Sequence, residues 1–93
     1  MKASKKENEV SLRVINAKEH NVTFQLEPWG DVYPMAPKDE FVVHFVSAEF
    51  AEPEVEMTED AIVVYGWTGC LVRVTKNGKE LINYTRARVP AIP

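Results

Sequence analysis

The side chains in this sequence that could perform metal or nucleophilic chemistry include one cysteine, two histidines and three methionines. A blue-copper site uses histidine, cysteine and methionine ligands and places a histidine and a methionine shortly after the cysteine. Here Cys70 is followed by the stretch 71–75, LVRVT, and no histidine comes later. His20 and His44 also lack the spacing of a zinc site. The sequence therefore predicts no metal site.

Cys70 is the candidate nucleophile, and His44 is its candidate base. A nucleophilic cysteine needs a base in contact and an oxyanion hole, but Cys70 lies in a β-prone stretch without the small-residue elbow that exposes a nucleophile. A free cysteine commonly behaves as a small buried hydrophobic residue. The dispersed glycines form no phosphate-binding loop. We therefore predict a protein that is not an enzyme, has no catalytic residues and uses no cofactor.

The aromatic residues are the strongest candidates for binding. Trp29 and Tyr33 lie in a loop bounded by proline and glycine, and Tyr65 and Trp67 stand at i and i+2 of a predicted strand, where side chains share one face. Aromatic rings can stack on a sugar, a base or a peptide. The candidate ligand-binding residues are Trp29, Asp31, Tyr33, Tyr65 and Trp67. In the competing interpretation, Trp29 and Trp67 cap the open ends of the fold.

The elements that position these residues follow a two-residue period, which is typical of β-strands, and no helical period is present. The predicted strands are 10–16, 22–27, 41–46, 54–57, 61–67, 70–75 and 80–84, with at most a short edge strand around Val32 and Tyr33. Seven or eight short strands predict an all-β fold, a small antiparallel β-sandwich, with a small closed β-barrel as the alternative.

Three connections carry specific expectations. The short polar linker between 10–16 and 22–27 favours an antiparallel hairpin, whereas Asn77-Gly78 favours a type I′ hairpin turn. The strand 41–46 is apolar on both faces apart from one histidine, which suits the centre of a sheet. The segment 48–52 is expected to form a loop because Pro53 follows it.

The length of 93 residues and the apolar fraction of 45% fit one globular domain. We expect a flexible basic arm at 1–8, a β-sandwich at 9–85 and an irregular tail at 86–93. The single cysteine cannot form an intramolecular disulfide, and neither a secretory signal nor a membrane span is visible. These features predict a cytoplasmic protein. Its net charge of −3 argues against nucleic acid as a partner.

Two motifs carry a resemblance. The segment 27–30, EPWG, followed by Tyr33, and the segment 65–70, YGWTGC, are similar to a recurrent pattern in a family of short uncharacterised bacterial β-rich proteins. The resemblance implies a bacterial origin and no activity, ligand or catalytic residue. Pro28 and Gly30 are expected to direct the chain off the sheet around Trp29, and Gly66 and Gly69 permit bulges or close backbone approach next to Trp67. The two motifs are therefore expected to meet at one end of the fold.

The leading functional hypothesis is a small non-enzymatic binding or protein-interaction module with an aromatic patch at one end. The alternative is a self-assembling or partner-docking structural subunit that uses an exposed sheet edge, since so small a sandwich leaves unpaired strand edges. The partner is not identified by the sequence; a protein, a peptide and a small-molecule ligand are the alternatives, and homo-oligomerisation is left open.

Overall fold

The computed structural model describes residues 8–49 and 51–83. These ranges contain no helix and therefore no helix that could span a membrane. The expected tail at 86–93, and all of the expected N-terminal arm except Asn8, lie outside the described residues. Asn8 itself begins the first strand. The eight strands are β1 (Asn8–Ile15), β2 (Val22–Glu27), β3 (Asp31–Met35), β4 (Glu40–Ser47), β5 (Glu54–Met57), β6 (Ala61–Tyr65), β7 (Leu71–Lys76) and β8 (Lys79–Asn83).

The strands form two four-stranded sheets. The first sheet has the order β1-β4-β7-β8 and is antiparallel throughout. The second has the order β3-β2-β6-β5, in which β2 and β6 are parallel and the other pairs are antiparallel. The predicted all-β sandwich is confirmed, and the described strands do not close into a barrel. The parallel pair is a departure from the antiparallel expectation.

The predicted hairpin between the first two strands is wrong. β1 pairs with β4 in the first sheet, whereas β2 pairs with β3 and β6 in the second. The linker 16–21 therefore crosses between sheets and does not turn back within one. The hairpin prediction at Asn77-Gly78 is confirmed, with φ angles of 51° and 87° that match a turn requiring positive φ at both positions.

The core lies between the two sheets and consists of the alternate, inward-facing side chains of their strands. Along the central strand β4, buried Phe41, Val43 and Phe45 alternate with half-buried residues. The ring of Phe41 lies 4.6 Å from that of Phe24, which belongs to the opposite sheet. The prediction of a central strand at 41–46 is thus confirmed, although only one of its faces is fully buried.

The buried side chain of Asn16 joins the two sheets where the chain leaves β1. Its amide nitrogen donates hydrogen bonds to the carbonyl oxygens of Met35 (2.9 Å) and His20 (3.0 Å). Its amide oxygen accepts from the backbone nitrogen of Lys18 at 2.9 Å. The backbone nitrogen of Asn16 also donates to the carbonyl of Asp39 at 3.1 Å. Because Asn16 is only 1% exposed, these bonds satisfy an amide that would be costly to bury alone.

A second polar cluster at the same end of the fold is centred on the carboxylate of Asp39. It accepts hydrogen bonds from the Asn77 amide (3.1 Å) and the Ala36 backbone nitrogen (2.8 Å), and Lys76 Nζ lies 3.7 Å away. These groups stabilise the charged form, chiefly through the Asn77 bond, and hold the pKa of Asp39 below its ordinary value. Asn77 also accepts a hydrogen bond from the Glu40 backbone nitrogen, so the β7–β8 turn is tied to the start of β4.

Replacing the buried amide should destabilise the fold strongly. Asn16→Ala leaves the carbonyl of Met35 and the backbone nitrogen of Lys18 without their partner, so we expect a loss of about 2–4 kcal/mol in the free energy of unfolding. Urea denaturation monitored by tryptophan fluorescence measures this loss. Asn21→Ala, at an exposed position of the same linker, is the matched control and should change stability by less than about 0.5 kcal/mol. Equal effects of the two substitutions would contradict the role given to Asn16.

The Asp39 cluster predicts a specific pH dependence. Because the pKa of Asp39 is lower in the folded state than in the unfolded chain, its contribution to stability is fully present above the unfolded value. The contribution is lost as the pH falls through the lower, folded value. Asp39→Asn should therefore flatten the decline in stability as the pH falls below about 5. Urea denaturation at several pH values tests this, and parallel profiles for the variant and the wild type would contradict it.

Candidate functional site

Trp29 lies in the β2–β3 turn and packs over Gly66, so the two sequence motifs meet as expected. A Cβ atom added at Gly66 would lie 2.7 Å from Cη2 and 2.8 Å from Cζ3 of Trp29, closer than real side-chain contacts. It would also lie 3.0 Å from the sulfur of Cys70. The backbone nitrogen of Gly66 donates to the carbonyl of Glu27 at 2.8 Å, which fixes this approach. Glycine at 66 is therefore required by the tryptophan ring.

Trp67 turns into the molecule, and the prediction that it shares a strand face with Tyr65 is wrong. The predicted strand 61–67 ends at Tyr65. Beyond it the chain makes a turn, closed by a 3.1 Å bond from the backbone nitrogen of Cys70 to the carbonyl of Trp67, with Gly69 at a φ of +86°. The Trp67 ring lies 5.1 Å from that of Phe45 and packs against the core. Its indole nitrogen is buried without a hydrogen-bond partner among the described residues.

Asp31 and Tyr33 lie on the core-facing side of the edge strand β3. Tyr33 stands opposite the buried Phe24, and Asp31 stands opposite the buried Leu26. Tyr33 packs against the core together with both tryptophans. These positions support the interpretation in which Trp29 and Trp67 cap the sandwich.

Tyr65 lies on the outer face of the second sheet, apart from the other aromatic candidates. Its hydroxyl donates a hydrogen bond of 2.9 Å to the carboxylate of Glu56 on the neighbouring strand. That bond stabilises the neutral phenol and raises the pKa of Tyr65, and the negative charges of Glu56, Glu27 and Glu54 act in the same direction. The five aromatic-patch candidates therefore do not form one continuous platform.

Cys70 and His44 lie on opposite faces of the first sheet. Cys70 is fully buried in the core immediately before β7. His44 alternates with the buried Val43 and Phe45 on β4, so its imidazole lies on the outer face, where Nδ1 is 2.9 Å from the hydroxyl oxygen of Ser11. This arrangement does not supply the contact between thiol and base that nucleophilic catalysis requires. The described residues also contain no cluster of three or more metal-ligating side chains.

The structure reveals an apolar surface that the sequence analysis did not locate. Val55 and Met57 stand opposite the buried Val64 and Ile62, which places them on the core-facing side of β5. Nevertheless Val55 is 40% and Met57 is 69% exposed. The sandwich is therefore open on the side where the edge strands β1 and β5 lie. We call this opening the open seam, and its apolar lining consists of Leu12, Val14, Ile15, Val22, Val55, Met57 and Ile62.

Two adjoining cavities make up the open seam. One has a volume of about 250 Å³ and the other of about 400 Å³, and both are lined by Ile15 and Met57. Above the seam, Lys18 Nζ donates a 2.8 Å hydrogen bond to the carbonyl of Glu59 and so links the β1–β2 linker to the β5–β6 turn. Ile15 is itself 47% exposed. The alternating residues of 54–57 indicated an edge strand with one apolar face, but only the tertiary structure shows that this face is uncovered.

The chain matches no protein-family model, and no significant match was found among curated proteins or solved structures. The resemblance of its two motifs to short bacterial proteins stays a prediction. Function is therefore inferred from the geometry of the aromatic end and of the open seam.

The contact between Gly66 and Trp29 predicts a position-specific penalty. Gly66→Ala should reduce the free energy of unfolding by about 1–3 kcal/mol, because the added methyl group must displace the indole or the backbone. In a Trp29→Phe background the penalty should be smaller, since phenylalanine lacks the ring atoms nearest to Gly66. A double-mutant cycle from urea denaturation measures this coupling. The same penalty in both backgrounds would contradict the proposed contact.

Proposed function

We propose that this protein is a small non-enzymatic protein-interaction module that binds a partner chain along the open seam. The observation that carries the proposal is the exposure of Val55 and Met57 on the core-facing side of β5. Core-facing side chains that remain exposed lose the stabilisation that burial provides, and a contiguous exposed apolar surface commonly marks an interaction site.

A protein partner fits the open seam better than a sugar or a nucleotide. The lining of the seam is mainly aliphatic, whereas recognition of sugars and bases relies on exposed aromatic rings. The seam is also bordered by two strands, β1 and β5, that lie at the edges of their sheets. Edge strands offer unpaired backbone groups to another chain, which binds by adding a strand.

The aromatic end is the second candidate location, as the sequence analysis proposed. Trp29, Tyr33 and Trp67 pack against the core, and Asp31 lies on the core-facing side of β3. The buried indole nitrogen of Trp67, which has no partner among the described residues, is the feature that favours a ligand there. Tyr65 belongs to a different face. A cytoplasmic location, a bacterial origin and the absence of a cofactor are parts of the same proposal.

The location of binding can be tested by methyl NMR. We expect the methyl resonances of Ile15, Val55 and Met57 to shift when extended aliphatic peptides are added or when the protein concentration itself is raised. The indole signals of Trp29 and Trp67 should stay in place. If only the indole signals shift, the binding site lies at the aromatic end. If the methyl resonances of the seam do not shift in either titration, the proposal is overturned.

A charged substitution in the seam provides the functional variant. Met57→Lys should abolish the seam response and change stability by less than about 0.5 kcal/mol, because the side chain is already 69% exposed. Val32→Lys is the matched control, since Val32 is an exposed valine (58%) on β3 at the other edge of the same sheet. We expect Val32→Lys to retain the response. Equal loss of binding in both variants would contradict a site at the seam.

A further inference from the structure

We propose that the partner bound along the open seam is a second copy of this chain, joined through antiparallel pairing of β1 with β1 around a two-fold axis at Ser11. The inference rests on the proposed function and names its partner.

β1 is the edge strand best suited to pairing between copies. It comprises 8 residues, whereas β5, on the other side of the open seam, comprises 4. Within the described ranges β1 pairs only with β4. Val10, Leu12 and Val14 stand opposite the buried Phe45, Val43 and Phe41, so they form the core-facing side of this edge. A second β1 would extend that apolar face across the dimer.

The charges on the outer face of β1 select one register. With Ser11 opposite its own symmetry mate, Glu9 of each copy stands opposite the partner's Arg13, and the pair occurs twice in the dimer. Opposite charges facing each other across antiparallel strands are stabilising. A register centred on Leu12 would place Ser11 opposite Arg13 and Glu9 opposite Ile15, and so would pair no opposite charges. Arg13 also bonds Glu40 within its own chain, and its five N–H donors allow both contacts.

The same reasoning disfavours pairing of β5 with β5. An antiparallel β5 pair centred on Val55 would bring Glu54 of each copy opposite the partner's Glu56. Like charges directly opposite each other are destabilising. The charges Glu27, Glu54 and Glu56 around Tyr65 already make the outer face of this strand negative. β1 therefore supplies the pairing edge.

The resulting dimer covers the open seam of both copies. The two β1 strands join the first sheets into one continuous sheet, with Val10 and Leu12 of each copy on its inner side. Val55 and Met57 lie on the inner side of the second sheet at the same lateral edge, so the two seams open towards each other. A two-fold arrangement of this kind uses the same patch twice and closes on itself, so it ends at two copies.

Charge reversal tests both the partner and the register. Sedimentation velocity at protein concentrations from micromolar to millimolar should show a reversible monomer–dimer equilibrium for the wild type. Glu9→Lys and Arg13→Glu should each weaken the dimer by roughly tenfold or more, because two attractive cross-strand pairs become repulsive. An equimolar mixture of these two variants should restore wild-type association, since each contact then joins opposite charges.

Matched variants separate this effect from net charge and from misfolding. Glu19→Lys, on the exposed β1–β2 linker, and Lys79→Glu, at the far edge strand β8, carry the same charge changes and should leave dimerisation unchanged. Glu9→Gln should weaken the dimer less than Glu9→Lys, because it removes the attraction without adding repulsion. This comparison is valid even if the Arg13→Glu variant does not fold. Failure of the mixture to restore association between two folded variants, or an unaltered Glu9→Lys dimer, would overturn the register.

The outcomes also distinguish this inference from the proposed function. A wild-type protein that stays monomeric up to millimolar concentration would overturn the second copy as partner. Seam methyls that still respond to an added peptide in that monomer would leave the proposed function standing with a different partner. If the seam methyl resonances shift only when residues 1–7 are removed, the chain's own N-terminal residues occupy the seam. This result would also overturn the inference that a second copy occupies it.

Discussion

The fold depends on a buried amide at the point where the chain changes sheets. Asn16 follows β1 of one sheet, and its side chain binds the carbonyl at the end of β3 in the other. A buried amide leaves no freedom here, because any separation of the sheets would leave its donors and acceptor unsatisfied in an apolar interior. The bond from the Asn16 backbone to Asp39 holds the entry to β4 at the same place. The two sheets are thus fixed relative to each other at this end.

The opposite end is closed by apolar packing. Trp29 from one turn lies on Gly66 of another, and Trp67 packs on Phe45 of the central strand. These contacts join the second sheet to the first at this end. Among the described residues, the large apolar side chains that remain exposed belong to the edge strands β1, β3 and β5; they are Ile15, Val32, Val55 and Met57. The opening between β1 and β5 therefore follows from the strand order and not from poor packing at the ends of the sandwich.

The sequence predicts those features that depend on local chemistry. The two-residue period located the strands, and Asn77-Gly78 identified its hairpin because asparagine and glycine are the residues that best tolerate the positive φ values of a type I′ turn. The pairing of β1 with β4 was not predictable from the short linker 16–21, since linker length does not show whether a chain turns back or crosses to another sheet. Likewise the direction of Trp67 depended on where β6 ends, and β6 ends at Tyr65, two residues before the tryptophan.

The candidate site illustrates the same limit. Val55 and Met57 alternate with glutamates, and this pattern predicts one apolar face whether or not another element covers it. Coverage depends on which strands become neighbours, a non-local property. The two edges that border the seam nevertheless differ in a way that the sequence encodes. The short edge β5 presents glutamates, which oppose pairing with a copy of itself. On β1, Glu9 and Arg13 carry opposite signs, so this edge is complementary to itself in the register centred on Ser11. An exposed edge with that charge pattern favours a single closed dimer over open-ended aggregation.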